Sequence, residues 1–231
     1  MDVVLIPGFW LDATSWEAVT PTLEAAGHTT YPLTLPGLES VDADRRGIGL
    51  ADHVRAVVEA VDGLDRPVVL VGHSGGGSIA HAVADVRPDR VARVVYVDSG
   101  PLGTGQAIND QLPEVDGEVP LPDWSFFSAE DLVDLDDGLR ASFRTRSVPE
   151  PLGVTRDPFQ LADQHRYDVP GTVISCQLPA AAWQQMIAQD HPWARELGRL
   201  RDVDFVDLPT GHWPQFTRPR ELAAAVVAAI G

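Results

Sequence analysis

Five short, mostly apolar runs punctuate the chain: VVLI at 3–6, VVLV at 68–71, VARVVYV at 91–97, TVIS at 172–175 and VDFVDL at 203–208. A strand with one wet face alternates apolar and polar residues. Near-continuous apolar runs instead imply strands covered on both faces, as in a parallel sheet between two helical layers. The segments between the runs carry helical spacing. LADHVRAVVEAVDG sets Val54, Val57, Val58 and Val61 on one face, SWEAVTPTLEAAG stops at Gly27 as a capping glycine, and RELAAAVVAAI makes a final helix. Strands alternating with helices over short connections predict an α/β fold with a mostly parallel, doubly wound sheet flanked by helices. A chain of 231 residues with 44% hydrophobic content suits one such domain spanning 1–231.

The alternation lapses between Pro101 and Asp168, a stretch rich in proline and acidic residues that also carries Trp124, Phe126, Phe127, Phe143 and Phe159. It is too long for a simple loop and too aromatic for a linker. We expect a small lid insertion over residues 101–168, the other reading being a helical excursion packed on the sheet flank. SAEDL at 128–132 has the form of a capping box, with Ser128 as cap and Asp131 three residues on, and predicts a helix start.

The formal charge is −17, from 34 acidic residues against 17 arginines and no lysine. Such a surface repels phosphates, so nucleic acid and anionic membranes are not expected partners. Cys176 is the single cysteine, which leaves no intrachain disulfide. No basic segment with an apolar stretch opens the chain and no apolar run reaches bilayer length, so a cytoplasmic protein is expected. No His/Cys/Asp cluster has metal-ligand spacing, and GHSGGG lacks the lysine of a phosphate loop; neither metal nor cofactor is expected.

GHSGG, Gly72 to Gly76, has the G-x-S-x-G form and stands between a buried run and a helical one. A serine on so sharp a strand-to-helix turn projects its hydroxyl, and glycines flank it because side chains there would strike the adjacent strand or helix. Ser74 is therefore the candidate nucleophile. The glycine turn in LIPGFW can aim backbone N–H groups at the same sheet edge, and an oxyanion hole needs one such donor plus the residue after the nucleophile. Those are Phe9 and Gly75. Of seven histidines, only His212 both follows Ser74 in the chain and lies in a loop just beyond a strand, where it could act as general base.

With these residues in view, the chain resembles the α/β-hydrolases, and in PGFWLDATSWEAVTPTLEAAGHTTYPLTLPG, GHSGGG, VVYVDS and TGHWPQFTRP it is similar to the small esterase, plant methylesterase and hydroxynitrile lyase branch. The resemblance runs nearly the whole length and implies Ser74 as nucleophile, His212 as base, and Phe9 and Gly75 as oxyanion donors. Two positions depart from that branch. Pro7 stands where its members usually carry histidine. The triad acid, usually a few residues past the next-to-last strand, is missing: TVISC continues into QLPAAAWQQM, with Leu178 or Pro179 at the expected place. Asp98, ending VVYVD, is the leading substitute, and some members of the fold carry their acid at that strand end. In other relatives an aspartate there is not the triad member, and Asp207 is a weaker alternative.

A serine, a histidine and two backbone donors suit acyl transfer on a small carboxylic ester or lactone. Trp10, Phe126, Phe127, Trp183 and Trp213 are candidates for an apolar substrate pocket, although large aromatics also build cores. Two other readings stay open: a non-hydrolytic lyase or cyclase on the same constellation, and a non-catalytic small-molecule binder on a decayed scaffold, motivated by the missing acid. The absence of lysine weighs against a hydroxynitrile lyase, since that branch usually employs one.

Overall fold

A computed structural model describes all of residues 1–231. The chain opens with β1 (Asp2–Ile6), α1 (Thr20–Ala25), β2 (Thr29–Pro32), α2 (Leu50–Asp62), β3 (Val68–His73), α3 (Gly75–Val86) and β4 (Val91–Val97). A long insertion then holds β5 (Glu118–Val119), α4 (Asp137–Arg146), β6 (Glu150–Pro151) and α5 (Leu152–Arg156). The chain closes with β7 (Gly171–Ser175), α6 (Ala180–Ala188), β8 (Val203–Asp207), α7 (Pro214–Thr217) and α8 (Pro219–Ile230). The main sheet has six strands in the order β2-β1-β3-β4-β7-β8, every adjacent pair parallel.

All five apolar runs are strands of this sheet. Their side chains divide with the two-residue period of a strand. Val4, Ile6, Leu70, Val94, Tyr96 and Val173 join a core with α2 and α3, while Val3, Leu5, Val69, Val71, Val95, Val97 and Ile174 join one with Trp16, Leu23 and α8. Burying each such side chain stabilises the fold by about 1.5–3 kcal/mol, and a one-residue slip would exchange the two faces, so register is strongly fixed. That register brings the carboxyl ends of β1, β3, β4, β7 and β8 to one edge. The sixth strand, β2, has no apolar signature; it is a half-exposed edge and needs none.

Two helical expectations are corrected. SWEAVTPTLEAAG is not one helix: a 3-10 turn at Ala13–Trp16 precedes α1, because Pro21 is tolerated only in a first turn. The Ser128–Asp131 capping box does form, with Ser128 N–H on Asp131 Oδ2 at 2.7 Å and Asp131 N–H on Ser128 Oγ at 3.1 Å. It opens only turns, since the Asp131 and Val133 carbonyls are taken by the N–H groups of His212 and Gly211. The helix begins later, where Asp136 Oδ1 accepts from Leu139 N–H at 2.8 Å.

The insertion has a core of its own. Leu112, Val119, Leu121, Leu135, Phe143 and Val154 pack against Phe9, Trp10, Leu11 and Trp213, the loops that follow β1 and β8. It therefore sits at the carboxyl edge of the sheet. No helix of the chain is long and apolar enough to cross a membrane.

Candidate active site

Ser74 occupies the corner between β3 and α3 with φ +52° and ψ −125°, a conformation an L-residue adopts only under constraint. The constraint is close backbone approach. A Cβ at Gly72 would lie 2.3 Å from the Gly76 carbonyl oxygen, and one at Gly76 would lie 2.5 Å from that of Pro7. Both glycines are required by contact, not by flexibility. Ser99 adds a bond from its hydroxyl to the Ser74 carbonyl at 2.5 Å.

His212, in the loop after β8, brings Nε2 to 2.9 Å from Ser74 Oγ, and its Nδ1 lies 2.7 Å from Asp98 Oδ2. A carboxylate only accepts, so Nδ1 carries the proton and Nε2 turns its lone pair toward the serine hydroxyl. Asp98 follows β4 directly, with φ +44°. Its other oxygen accepts from the N–H groups of Cys176 and Gln177 at 3.0 and 3.1 Å. Burial by itself would raise this carboxyl, but the His212 hydrogen bond and charge, with the two amides, hold it below the usual carboxylate range. Asp207 is elsewhere: it accepts from Ala180 N–H at 2.7 Å and caps α6.

His73, the variable residue of the serine motif, has a structural role that its position in the motif does not reveal. Its Nε2–H donates to the His212 carbonyl at 2.7 Å, tying the histidine loop to the elbow. It is fully buried, and burial together with the neighbouring imidazole pushes it down to about 3.

The N–H groups of Phe9 and Gly75 make no hydrogen bond to the rest of the chain. The two residues are adjacent: a Cβ on Gly75 would come within 2.9 Å of the Phe9 ring. Phe9 lines a cavity of about 310 Å³ together with Ser74 and His212. Phe9, Trp10, Ile108, Leu112, Phe126 and Phe127 form its apolar wall, and Asn109 and Asp131 are its other polar residues. Most of that wall comes from the insertion. A larger groove, about 560 Å³, lies between α2, α3 and residues 157–161, and none of Ser74, His212 and Asp98 reaches it.

Trp10, Phe126 and Phe127 thus line the cavity beside Ser74 and His212, and two of the expected aromatics do not. Trp213 is buried one layer behind, its ring 5.2 Å from Phe127, 5.3 Å from Phe143 and 5.1 Å from the His212 imidazole. It supports the wall without forming it. Trp183 is further removed. Pro179 turns the chain into α6, whose half-buried Trp183 packs on the α3 side of the sheet and covers Gly100.

Two polar residues join the site without a clear sequence signal. Asp131 has Oδ1 2.5 Å from Gln177 Nε2, and its carbonyl accepts from His212 N–H at 2.9 Å. Gln177 thereby touches the acid through its backbone and the insertion through its side chain. The only hint is negative: the loop after TVISC lacks the carboxylate its position usually carries. No group of three or more His, Cys, Asp or Glu side chains is placed to hold a metal ion.

The family model for the alpha/beta hydrolase family matches residues 3–225. Methylesterase 7 of Arabidopsis thaliana is 27% identical, over 97% of this chain and 94% of its own length. The pyrethroid hydrolase of Sphingobium wenxiniae is also 27% identical, over 97% of this chain and 86% of its own. Among solved structures, an extracellular alpha/beta-hydrolase from a Paenibacillus species superposes with a TM-score of 0.77 at 23% identity, covering 99% of this chain and 98% of that one. An Arabidopsis methylesterase does so with a TM-score of 0.77 at 18% identity, covering 100% and 98%.

Proposed function

Since this chain belongs to the α/β-hydrolase family and is a carboxylic ester hydrolase, we propose that it cleaves small esters or lactones by a Ser74 acyl-enzyme route. The observation that carries the reading is the unbroken hydrogen-bonded line from Ser74 through His212 to Asp98, at 2.9 and 2.7 Å. Ser74 Oγ attacks the carbonyl carbon as its proton passes to His212 Nε2. Negative charge moves to the carbonyl oxygen, which the N–H groups of Phe9 and Gly75 receive. The C–O bond then breaks, the alcohol leaves with the proton from Nε2, and water repeats the sequence to release the acid. Asp98 stabilises the imidazolium formed at each stage. The reading as a binding protein on a decayed scaffold rests on the absent acid, and a carboxylate at Asp98 2.7 Å from His212 Nδ1 weighs against it.

The wall of Phe9, Trp10, Phe126 and Phe127 suits a compact aromatic or alicyclic group, and the insertion acts as the lid that holds it. Methylesterase activity in a relative of this length makes simple methyl esters of aromatic acids the first compounds to try. The test is fluorophosphonate labelling and p-nitrophenyl acetate turnover by wild type and Ser74→Ala. Labelling at Ser74, with turnover lost in the variant, is expected. Undiminished turnover in Ser74→Ala would overturn the reading.

A further inference from the structure

Glu150 is a buried carboxyl that the chemistry above leaves unused; it is 1% exposed. It lies in β6, and its Oε2 accepts the N–H of Trp10 at 3.1 Å. Trp10 follows Phe9 directly and has φ +65°, a region that a bulky residue enters only when held there. Two further bonds hold it. Val148 N–H reaches its carbonyl at 3.0 Å, and its indole N–H donates to the Val119 carbonyl at 2.9 Å. All three anchors belong to the insertion. The Phe9–Trp10 peptide fixed by Glu150 adjoins the Gly8–Phe9 peptide, whose N–H is the proposed oxyanion donor. Rotation of the first disturbs the second, and a donor turned well away from its acceptor loses most of its hydrogen bond.

Opposite Glu150 stands His53 of α2, with Nδ1 3.8 Å from Glu150 Oε1. His53 Nε2 is 2.9 Å from the Pro36 carbonyl, which can only accept, so the ring proton is on Nε2 and Nδ1 carries a bare lone pair. That nitrogen is buried and has no hydrogen-bond partner, Glu150 Oε1 being the carboxyl oxygen it faces across 3.8 Å. An ionised Glu150 would set lone pair against lone pair. A neutral carboxylic acid removes that opposition, since its O–H can point at Nδ1 across the 3.8 Å gap. The remaining cation near the pair, Arg45, is engaged by Glu118 of β5 and by the carbonyls of Ala43 and Pro149.

We propose that Glu150, kept as a neutral acid facing His53, is a positioning residue that aims the Phe9 N–H at the developing oxyanion. The proposal rests on the reading of Phe9 as an oxyanion donor. Burial pushes Glu150 up to about 8, against the opposing pull of Trp10 N–H and Arg45, and burial pushes His53 down to about 4, so both are neutral at pH 7. Ionising Glu150 would place a negative charge on the peptide that adjoins the Phe9 donor, which opposes the negative charge that the reaction accumulates. It would also remove the donor that faces His53. The rate should therefore fall as the pH rises through this titration. Glu150→Gln cannot ionise, yet its amide retains both an acceptor for Trp10 and a donor for His53.

The experiment measures kcat and KM on p-nitrophenyl acetate for wild type, Glu150→Gln, Glu150→Leu and Ser74→Ala, from about pH 6 to about pH 10. Glu150→Leu is expected to lose about ten- to a hundredfold in kcat with KM within about twofold, less than removal of a whole oxyanion donor. Glu150→Gln is expected to keep the wild-type kcat at pH 7 and to lack the decline that wild type shows above about 8. An alkaline decline shared by wild type and Glu150→Gln overturns the proposal, as does a wild-type kcat in Glu150→Leu. If Glu150→Leu fails to fold, the Glu150→Gln profile decides alone. Activity surviving in Ser74→Ala strikes the catalytic reading; its loss there beside unaffected Glu150 variants strikes only the positioning role.

Discussion

Asp98 at the end of β4 reaches His212 Nδ1 at 2.7 Å, while the backbone N–H groups of Cys176 and Gln177, in the loop after β7, hold its other oxygen. The loop that usually supplies the acid here supplies the cradle for one. Because β4 and β7 are adjacent parallel strands, their ends lie side by side, and a carboxylate on either can face the same imidazole.

Asp98→Asn should therefore behave as loss of a true triad acid. The amide keeps an acceptor for the loop N–H groups but can present a donor to Nδ1, which favours the wrong imidazole tautomer. In a serine protease this substitution lowers kcat by about four orders of magnitude, and a comparable fall is expected here, with fluorophosphonate labelling of Ser74 slowed in parallel. A fall of less than about tenfold would mean that the acid lies elsewhere.

The two displaced aromatics separate binding from folding. Phe127 faces the cavity and leans on Trp213, so Phe127→Ala should raise KM for aromatic esters. Trp183 packs on the sheet side of α6, so Trp183→Ala should leave KM unchanged while lowering the melting temperature. Loss of a well-packed aromatic costs about 3–5 kcal/mol when fully buried, and a half-buried one less. Steady-state kinetics beside thermal melts distinguish the pair, and equal KM values for the two variants would contradict the cavity assignment.

The contrast shows what the sequence could and could not carry. Ser74 was legible because the strand-to-helix turn leaves its glycine signature in five consecutive residues, although Gly76 answers to the distant Pro7 carbonyl, and His212 because a parallel sheet delivers every strand end to one edge. Asp98 was harder: its approach to His212 depends on which strands are neighbours. Trp183 lies away from the cavity because α6, entered at Pro179, packs it against the sheet, which no local pattern reveals. Glu150 and Asp131 lie in an insertion without periodicity, where only the folded chain shows what each faces.

Asp131 lines the cavity and bonds only neutral partners, Gln177 and the Ser128 N–H, while no arginine lines that cavity. Its uncompensated charge should disfavour substrates that carry a free carboxylate. With paired p-nitrophenyl esters, one ending in an ammonium group and one in a carboxylate, wild type should prefer the cation. Asp131→Asn should reduce the ratio of kcat/KM values about five- to tenfold, the size of an interaction of roughly 1 kcal/mol. An unchanged ratio would remove Asp131 from substrate selection.

Stability should fall on mild acidification, because three buried histidines are held neutral. Burial pushes His73 down to about 3 and His53 down to about 4, and it lowers His81 as well. In the unfolded chain each titrates near its ordinary value of about 6.5, so below that pH the unfolded state binds more protons than the native one. Their contribution is complete above about 6.5 and is lost as pH falls toward the native values, at up to about 1.4 kcal/mol per unit for each group. Glu150 works against this slope. Its native value is raised, so its contribution is complete below about 4.5 and declines as pH rises toward about 8. Three groups outweigh one, and the urea midpoint should drop between about pH 6.5 and about pH 4.5. Glu150→Gln removes the opposing group and should steepen that drop while raising stability at pH 8 relative to wild type. A midpoint constant across this interval in both proteins would show that the histidines titrate alike in the folded and unfolded chain.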